Sequence, residues 1–196
     1  MRRYKSQFME SYISELWQSL KNIANLFRDH DINFTIIGGA ARNQYGVEKI
    51  TEDIDILVAK RDKEKMLKLP IGFIKELSKG RGKVFSFHNP KTRVEIIYSG
   101  EISGDGVNGL MYENPKLVSN DINGIPFLTL EKLIEYKLSS GIYGKRMKDF
   151  VDIMELLKIN KLPEDYAKYF RKDLYIKYTE LWKESKEEKF LWKLNT

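Results

Sequence analysis

Asp53 and Asp55 stand two residues apart in a run that is otherwise apolar, with Ile54, Ile56, Leu57 and Val58 around them. The two-residue period of a strand puts both carboxylates on one face and Ile54 and Ile56 on the other. An unpaired carboxylate on an interior strand is costly, and two side by side repel each other unless a cation joins them. Ligation by oxygen alone suits Mg²⁺, which also takes phosphate oxygens. Upstream, the apolar run Phe34, Thr35, Ile36, Ile37 stops at Gly38 and Gly39. Glycine lets a backbone approach a ligand closely. A helix opening just after it points free N–H groups at an anion, phosphate above all. The plainer alternatives are a simple turn at the diglycine and an Asp-x-Asp on an exposed edge. The apolar company of the aspartates favours a site.

These residues need four elements in order. They are a strand over residues 34–37, the diglycine turn, a short helix over residues 40–45 closed by Gly46, and a carboxylate strand over residues 50–59. Ahead of them, Ile13, Trp17, Leu20, Ala24 and Phe27 recur at three- and four-residue steps, predicting a helix over residues 6–30 that packs on the sheet. The diglycine followed by Thr51-x-Asp53-x-Asp55 resembles the nucleotidyltransferase superfamily with the DNA polymerase β fold. The branch it most resembles is the small prokaryotic one, which holds minimal nucleotidyltransferases and toxin-like members of abortive-infection and toxin–antitoxin systems. The resemblance implies an α+β fold, a small mixed sheet packed with helices. It also implies a third carboxylate on a later strand, with the three carboxylates binding two Mg²⁺ ions that hold a nucleoside triphosphate and activate an acceptor hydroxyl.

Glu95 answers to that third carboxylate. It lies in the predicted strand over residues 92–98, where Val94 and Ile96 face one way and Arg93, Glu95 and Ile97 the other. Its alternative is an exposed strand glutamate paired across a hairpin, to a lysine or to His88 on the strand over residues 83–88. Arg42, in the first turn of the short helix, either meets a phosphate or forms a salt bridge to Glu48 or Glu52. The Thr51 hydroxyl bonds to backbone or to a carboxylate. Between the carboxylate strand and this hairpin, residues 60–68 form a charged, solvated helix or loop, and residues 71–77 a short helical pattern. Gly100, Gly104, Gly106 and Gly109 make residues 99–109 a loop. It borders the site, with Asp105 as a turn former first. Asn123-Gly124 predicts a hairpin between two short edge strands.

Thr129 caps a helix with the stripe Leu130, Leu133, Ile134 and Leu138. Residues 139–144 break it, a second helix covers residues 145–158, and a third starts near Leu162 with an aromatic face that includes Tyr169. The segment ending in Lys137-Leu138, then Arg146-x-Lys148-Asp149-x-x-Asp152, also resembles this branch. The resemblance makes Lys137 a triphosphate ligand. It sets Lys148 and Asp149 close to the site, Asp149 tethering a basic residue. The alternatives are a snorkelling Lys137 and surface pairs among Arg146, Lys148 and Asp152. Residues 1–128 read as the nucleotidyltransferase core and residues 129–196 as a helical region packed on it.

Composition sets the limits. The chain of 196 residues has no cysteine and two histidines, which excludes disulfides and leaves little for zinc. A net charge of +6 is compatible with nucleotide or RNA. From Asn160 onward nine basic residues face seven acidic ones, so the tail is no polybasic arm. No apolar run approaches membrane-spanning length, and a cytoplasmic location is the default. The expected reaction is Mg²⁺-dependent transfer of a nucleoside monophosphate from a triphosphate such as ATP to a hydroxyl of a protein, a tRNA or a small molecule. An antitoxin-type partner belongs to that picture. The rival is a non-catalytic binding or regulatory module that keeps the fold.

Overall fold

The computed structural model describes residues 2–69, 74–76, 83–86 and 93–187. A mixed sheet of seven strands runs through it: β1 (Phe34–Ile36), β2 (Asp53–Val58), β3 (Ile74–Glu76), β4 (Lys83–Ser86), β5 (Arg93–Tyr98), β6 (Ser119–Ile122) and β7 (Ile125–Leu128). Their spatial order is β3-β4-β5-β2-β1-β7-β6. The centre is mixed. β2 pairs antiparallel with β1 and parallel with β5, and β1 pairs parallel with β7. In the β2–β5 register Asp53 lies opposite Arg93 and Asp55 opposite Glu95. Period-two alternation then buries Ile54, Ile56, Val94 and Ile96 and leaves Asp53, Asp55 and Glu95 half-buried on the other side.

Seven α-helices surround the sheet among the described residues: α1 (Arg2–Asp29), α2 (Gly38–Gln44), α3 (Lys63–Leu67), α4 (Pro115–Val118), α5 (Leu130–Tyr143), α6 (Met147–Ile159) and α7 (Lys172–Lys186). α1 buries Leu20, Ile23, Ala24 and Phe27, and its Trp17 meets the edge of Phe127 on β7 at 5.8 Å. Asn123 and Gly124 both take positive φ (52° and 79°) in the β6–β7 hairpin, as a two-residue turn requires. Of the two hairpin strands β6 alone lies at the sheet edge, because β7 is covered by β1.

The structure departs from the sequence reading in four places. Ile74–Glu76 is a strand and not part of a helix; the rest of residues 71–77, except Ile74, Lys75 and Glu76, lies outside the described residues. His88 and the turn after it also lie outside them. Residues 60–68 are not merely solvated, since Asp62 and Met66 are buried. Asp62 accepts from the Asn33 backbone at 2.9 Å and its side chain at 2.8 Å, tying the segment to the start of β1. α5 does not break at Ser139: it runs to Tyr143 and ends at Gly144. The reason is tertiary, because Gly141 lets the Phe150 ring of α6 lie so close that a Cβ there would stand 2.3 Å from it. Finally, Tyr169 is 86 % exposed, and the aromatic packing is carried by Tyr166, Phe170 and Tyr178.

Candidate functional site

Asp53, Asp55 and Glu95 each present a carboxylate oxygen, and the three lie within 4.8 Å of one another. The β2–β5 register alone brings this about, since residues directly opposite in paired strands share a face. Glu95 is also held by Arg93 of its own strand at 2.7 Å. Burial makes ionisation of Asp55 expensive, and the charges of Asp53 and Glu95 add to that. Arg146 and Lys137 offset only part, so its carboxyl is pushed up to about 6.

The diglycine approaches this cluster because it has no side chains. Gly38 takes φ +62°, and a Cβ on it would stand 1.8 Å from Asp55 Oδ2. A Cβ on Gly39 would meet Thr51 Oγ1 at 2.4 Å. Ile37 N–H donates to the Asp55 carbonyl at 3.0 Å, so the end of β1 is sewn to the carboxylate strand. α2 begins there, and the opening N–H groups of a helix have no partner within it. Thr51 donates its hydroxyl to the Asp53 carbonyl at 3.0 Å. Its backbone N–H donates to the Tyr12 hydroxyl at 2.7 Å, which donates in turn to the Thr51 carbonyl at 3.2 Å. α1 thereby fixes the entry to β2. Nothing in the sequence pattern singles out Tyr12.

Helices α5 and α6 face the triad across a cleft of about 460 Å³, within the usual size of small-ligand sites. Gly38, Gly39, Arg42, Thr51, Asp53, Asp55, Glu95, Lys137, Lys148 and Asp149 all line it, so these ten candidate site residues meet in one place. Lys137 is buried, not a snorkelling surface lysine, and donates to Asp149 Oδ1 at 2.8 Å and Asp152 Oδ2 at 2.7 Å. Asp149 does tether a basic residue. Arg42 is buried too, and its partner is neither Glu48 nor Glu52 but Asp152, at 3.1 Å. Burial works against the Asp152 charge. The charge and hydrogen bond of Lys137, with the charges of Arg42 and Lys49, outweigh it and hold the carboxyl below its ordinary value. Lys148 is exposed, and Arg146 stands 3.6 Å from Asp149 with its side chain half exposed.

The third wall comes from the glycine-rich loop. Ser103 and Ser139 share a hydroxyl hydrogen bond of 2.6 Å, and Leu110 N–H donates to Ser139 Oγ at 2.7 Å, pinning the loop to α5. Asp105 is a turn former: its carboxylate accepts from Asn108 side chain and from the Val107 and Asn108 N–H groups, which holds it down at about 2. The loop delivers Tyr112 into the cleft, where its ring lies 4.7 Å from Tyr136. Burial, with Asp55 nearby, raises the Tyr112 phenol well above its ordinary value. Neither tyrosine belongs to a motif, so sequence reasoning had no signal for them.

No family model matches the chain, and no curated protein matches it. Solved structures do. The antigenic nucleotidyltransferase-like protein from Paracoccidioides brasiliensis is similar at 15 % identity, over 87 % of this chain and 88 % of that one, with a TM-score of 0.53. JHP933 from Helicobacter pylori is similar at 15 % identity over 91 % and 94 % of the two chains, with a TM-score of 0.41. The antibiotic-resistance factor ANT(2'')-Ia is similar at 14 % identity over 90 % and 87 %, with a TM-score of 0.39. At such identities a likeness speaks to the backbone alone, and of these three the Paracoccidioides protein, at a TM-score of 0.53, is near enough to carry it. Together with the mixed central sheet and its helices, it shows that this chain has a polymerase β-like fold.

Proposed function

We propose that this protein is a Mg²⁺-dependent nucleotidyltransferase that moves a nucleoside monophosphate from a nucleoside triphosphate to a hydroxyl acceptor. The observation that carries the reading is the meeting of Asp53, Asp55 and Glu95 within 4.8 Å. Mg²⁺ fits this donor set: every ligand is a hard oxygen, and a cation would relieve the repulsion from Asp53 and Glu95 that adds to burial in keeping Asp55 reluctant to ionise. The three carboxylates would hold two ions. Bound there, the ions supply neutralising charge to the triphosphate and lower the pKa of the acceptor hydroxyl.

The chain's own groups do the rest. Gly38 and Gly39 offer backbone N–H groups to the β- and γ-phosphates. Arg42 and Lys137 present positive charge, Asp149 tethers Lys137, and Lys148 meets the ligand at the cleft surface. Thr51 braces the entry to the carboxylate strand. Glu95 takes the proton of the acceptor hydroxyl as its oxygen attacks the α-phosphorus and pyrophosphate leaves. Fixed charges set before the reaction starts supply most of the rate. The acceptor is a hydroxyl of a protein, a tRNA end or a small molecule. The setting is that of a cytoplasmic, toxin-like enzyme with an antitoxin-type partner. Residues 1–128 serve as the transfer core and residues 129–196 as its helical support.

Calorimetry with ATP, CTP, GTP and UTP in turn, with and without Mg²⁺, tests this on wild type and the Asp53→Ala/Asp55→Ala double variant. Mg²⁺-dependent binding of at least one nucleotide, lost in the variant, is expected. No binding by a folded wild type would sink the proposal. A second reading, a non-catalytic module on the same fold, draws on one observation: Arg93 already neutralises Glu95 at 2.7 Å. Transfer of label from a nucleoside triphosphate to any acceptor excludes it.

A further inference from the structure

Asp152, in the second turn of α6, is 6 % exposed and divides its two oxygens between two other helices. Oδ1 accepts from Arg42 Nη1 of α2 at 3.1 Å, and Oδ2 accepts from Lys137 Nζ of α5 at 2.7 Å. Both cations are buried and both line the cleft. Lys49 Nζ stands 3.9 Å from the same Oδ1. Arg42 carries the constraint further. Its Nη2 donates to Asn43 Oδ1 at 2.9 Å and to the Lys49 carbonyl at 3.4 Å, and Asn43 Nδ2 donates to that carbonyl at 2.6 Å. The Lys49 carbonyl lies on the segment that leads to Thr51 and Asp53. One carboxylate therefore bears on α2, on α5 and on the approach to the carboxylate strand.

A buried cation without a counter-charge is costly, so Arg42 and Lys137 face the cleft only while something holds them. Holding both from one carboxylate sets the spacing between them. It thereby sets the spacing of the two positive charges offered to an oligophosphate. Asp149 cannot do the same, because its partners Lys137 and Arg146 both follow residue 128 in the chain, and it makes no bond to α2.

We infer that Asp152 is a positioning residue for nucleotide binding: it registers Arg42 and Lys137 against the diglycine and the carboxylate triad without touching the nucleotide. This rests on the proposed nucleotidyl transfer, which supplies the ligand that the two cations address. Side-chain size is conserved in Asp152→Asn while the charge is lost.

The experiment is calorimetry with each of the four nucleoside triphosphates and Mg²⁺ on wild type, Asp152→Asn, Lys137→Met and the double variant. Mn²⁺ binding to nucleotide-free protein, read by electron paramagnetic resonance, reports on the triad separately. Asp152→Asn is expected to weaken the bound nucleotide about tenfold or more and to leave Mn²⁺ binding within about twofold. Added to Lys137→Met, it should weaken binding by less than about threefold, since residues that act through one another are not additive. A merely structural carboxylate would lower the melting temperature and leave both the affinity of the folded protein and the additivity untouched. Should Asp152→Asn fail to fold, Asp152→Glu keeps the charge and displaces it by one methylene; it is expected to bind about fivefold more weakly. Wild-type affinity in either folded variant, or full additivity, overturns the inference and leaves the proposed function standing. No nucleotide binding by the wild type overturns both.

Discussion

Asp55 is the least comfortable charge in the cleft, and its discomfort has a sign. Its ordinary value of 3.8 is raised to about 6 by burial first and by Asp53 and Glu95 second. The folded chain thus holds a proton that the unfolded chain has released between those two values. The stabilisation from the protonated form is complete below pH 3.8 and is lost as pH rises through about 6. The total is on the order of 3 kcal/mol before solvent screening in the cleft. Asp55→Asn removes the ionisable group. In chelator it should melt higher than wild type at pH 7.5, with the difference vanishing near pH 4; thermal melts against pH measure this, and a lower melting point at pH 7.5 would contradict it. Mg²⁺ should stabilise wild type more at pH 7.5 than at pH 5. At this scale the carboxylates were legible, because strand alternation sorts Asp53, Asp55 and Glu95 onto one face. The Arg42–Asp152 bond was not, because its partners lie far apart in sequence and only the packing of α2 on α6 pairs them.

Among the elements, α5 shows why local signals fall short. Ser139, Ser140 and Gly141 read as a helix stop, yet Gly141 is where α6 comes closest and Ser139 is where the glycine-rich loop is pinned. The same residues that weaken a lone helix are those this packing requires. Gly141→Ala should therefore destabilise by about 1–3 kcal/mol, although alanine is the better helix former by nearly 1 kcal/mol. Adding Phe150→Leu should recover part of the loss, and denaturant unfolding of the two variants checks it. A stabilising Gly141→Ala would mean that the ring gives way freely. The β6–β7 hairpin was legible because two residues of positive φ have a short list of acceptable types. The strand at Ile74–Glu76 was not, since a short apolar run fits helix and strand alike.

At the scale of the whole molecule, one hydrophobic cluster joins sheet and helices. Leu133, Ile134 and Leu138 of α5 and Ile153, Leu156 and Leu157 of α6 belong with Ile36, Ile54 and Phe127 of the sheet. The proposed boundary at residue 128 thus falls within one hydrophobic cluster. A fragment of residues 1–128 should show no cooperative thermal transition, while the full chain melts in one; a sharp transition in the fragment would make the core autonomous. Composition foretold a nucleotide-compatible positive charge. It did not foretell that three of the cleft's cations, Arg42, Lys49 and Lys137, are already engaged by Asp149, Asp152 and Glu155. Among the described residues, no helix is long and apolar enough to cross a membrane.

The contact between Gly38 and Asp55 has a consequence for descent. A Cβ at position 38 would sit on a carboxylate oxygen 1.8 Å away. A lineage that keeps Asp55 is therefore barred from trying other side chains at 38. One that loses Asp55 to a smaller residue eases the steric bar, leaving the Cβ of residue 55 at 2.9 Å and the positive φ to favour glycine. The order of substitutions is one-way: the carboxylate must go before the glycine can, and a glycine at 38 outlives the charge it once made room for.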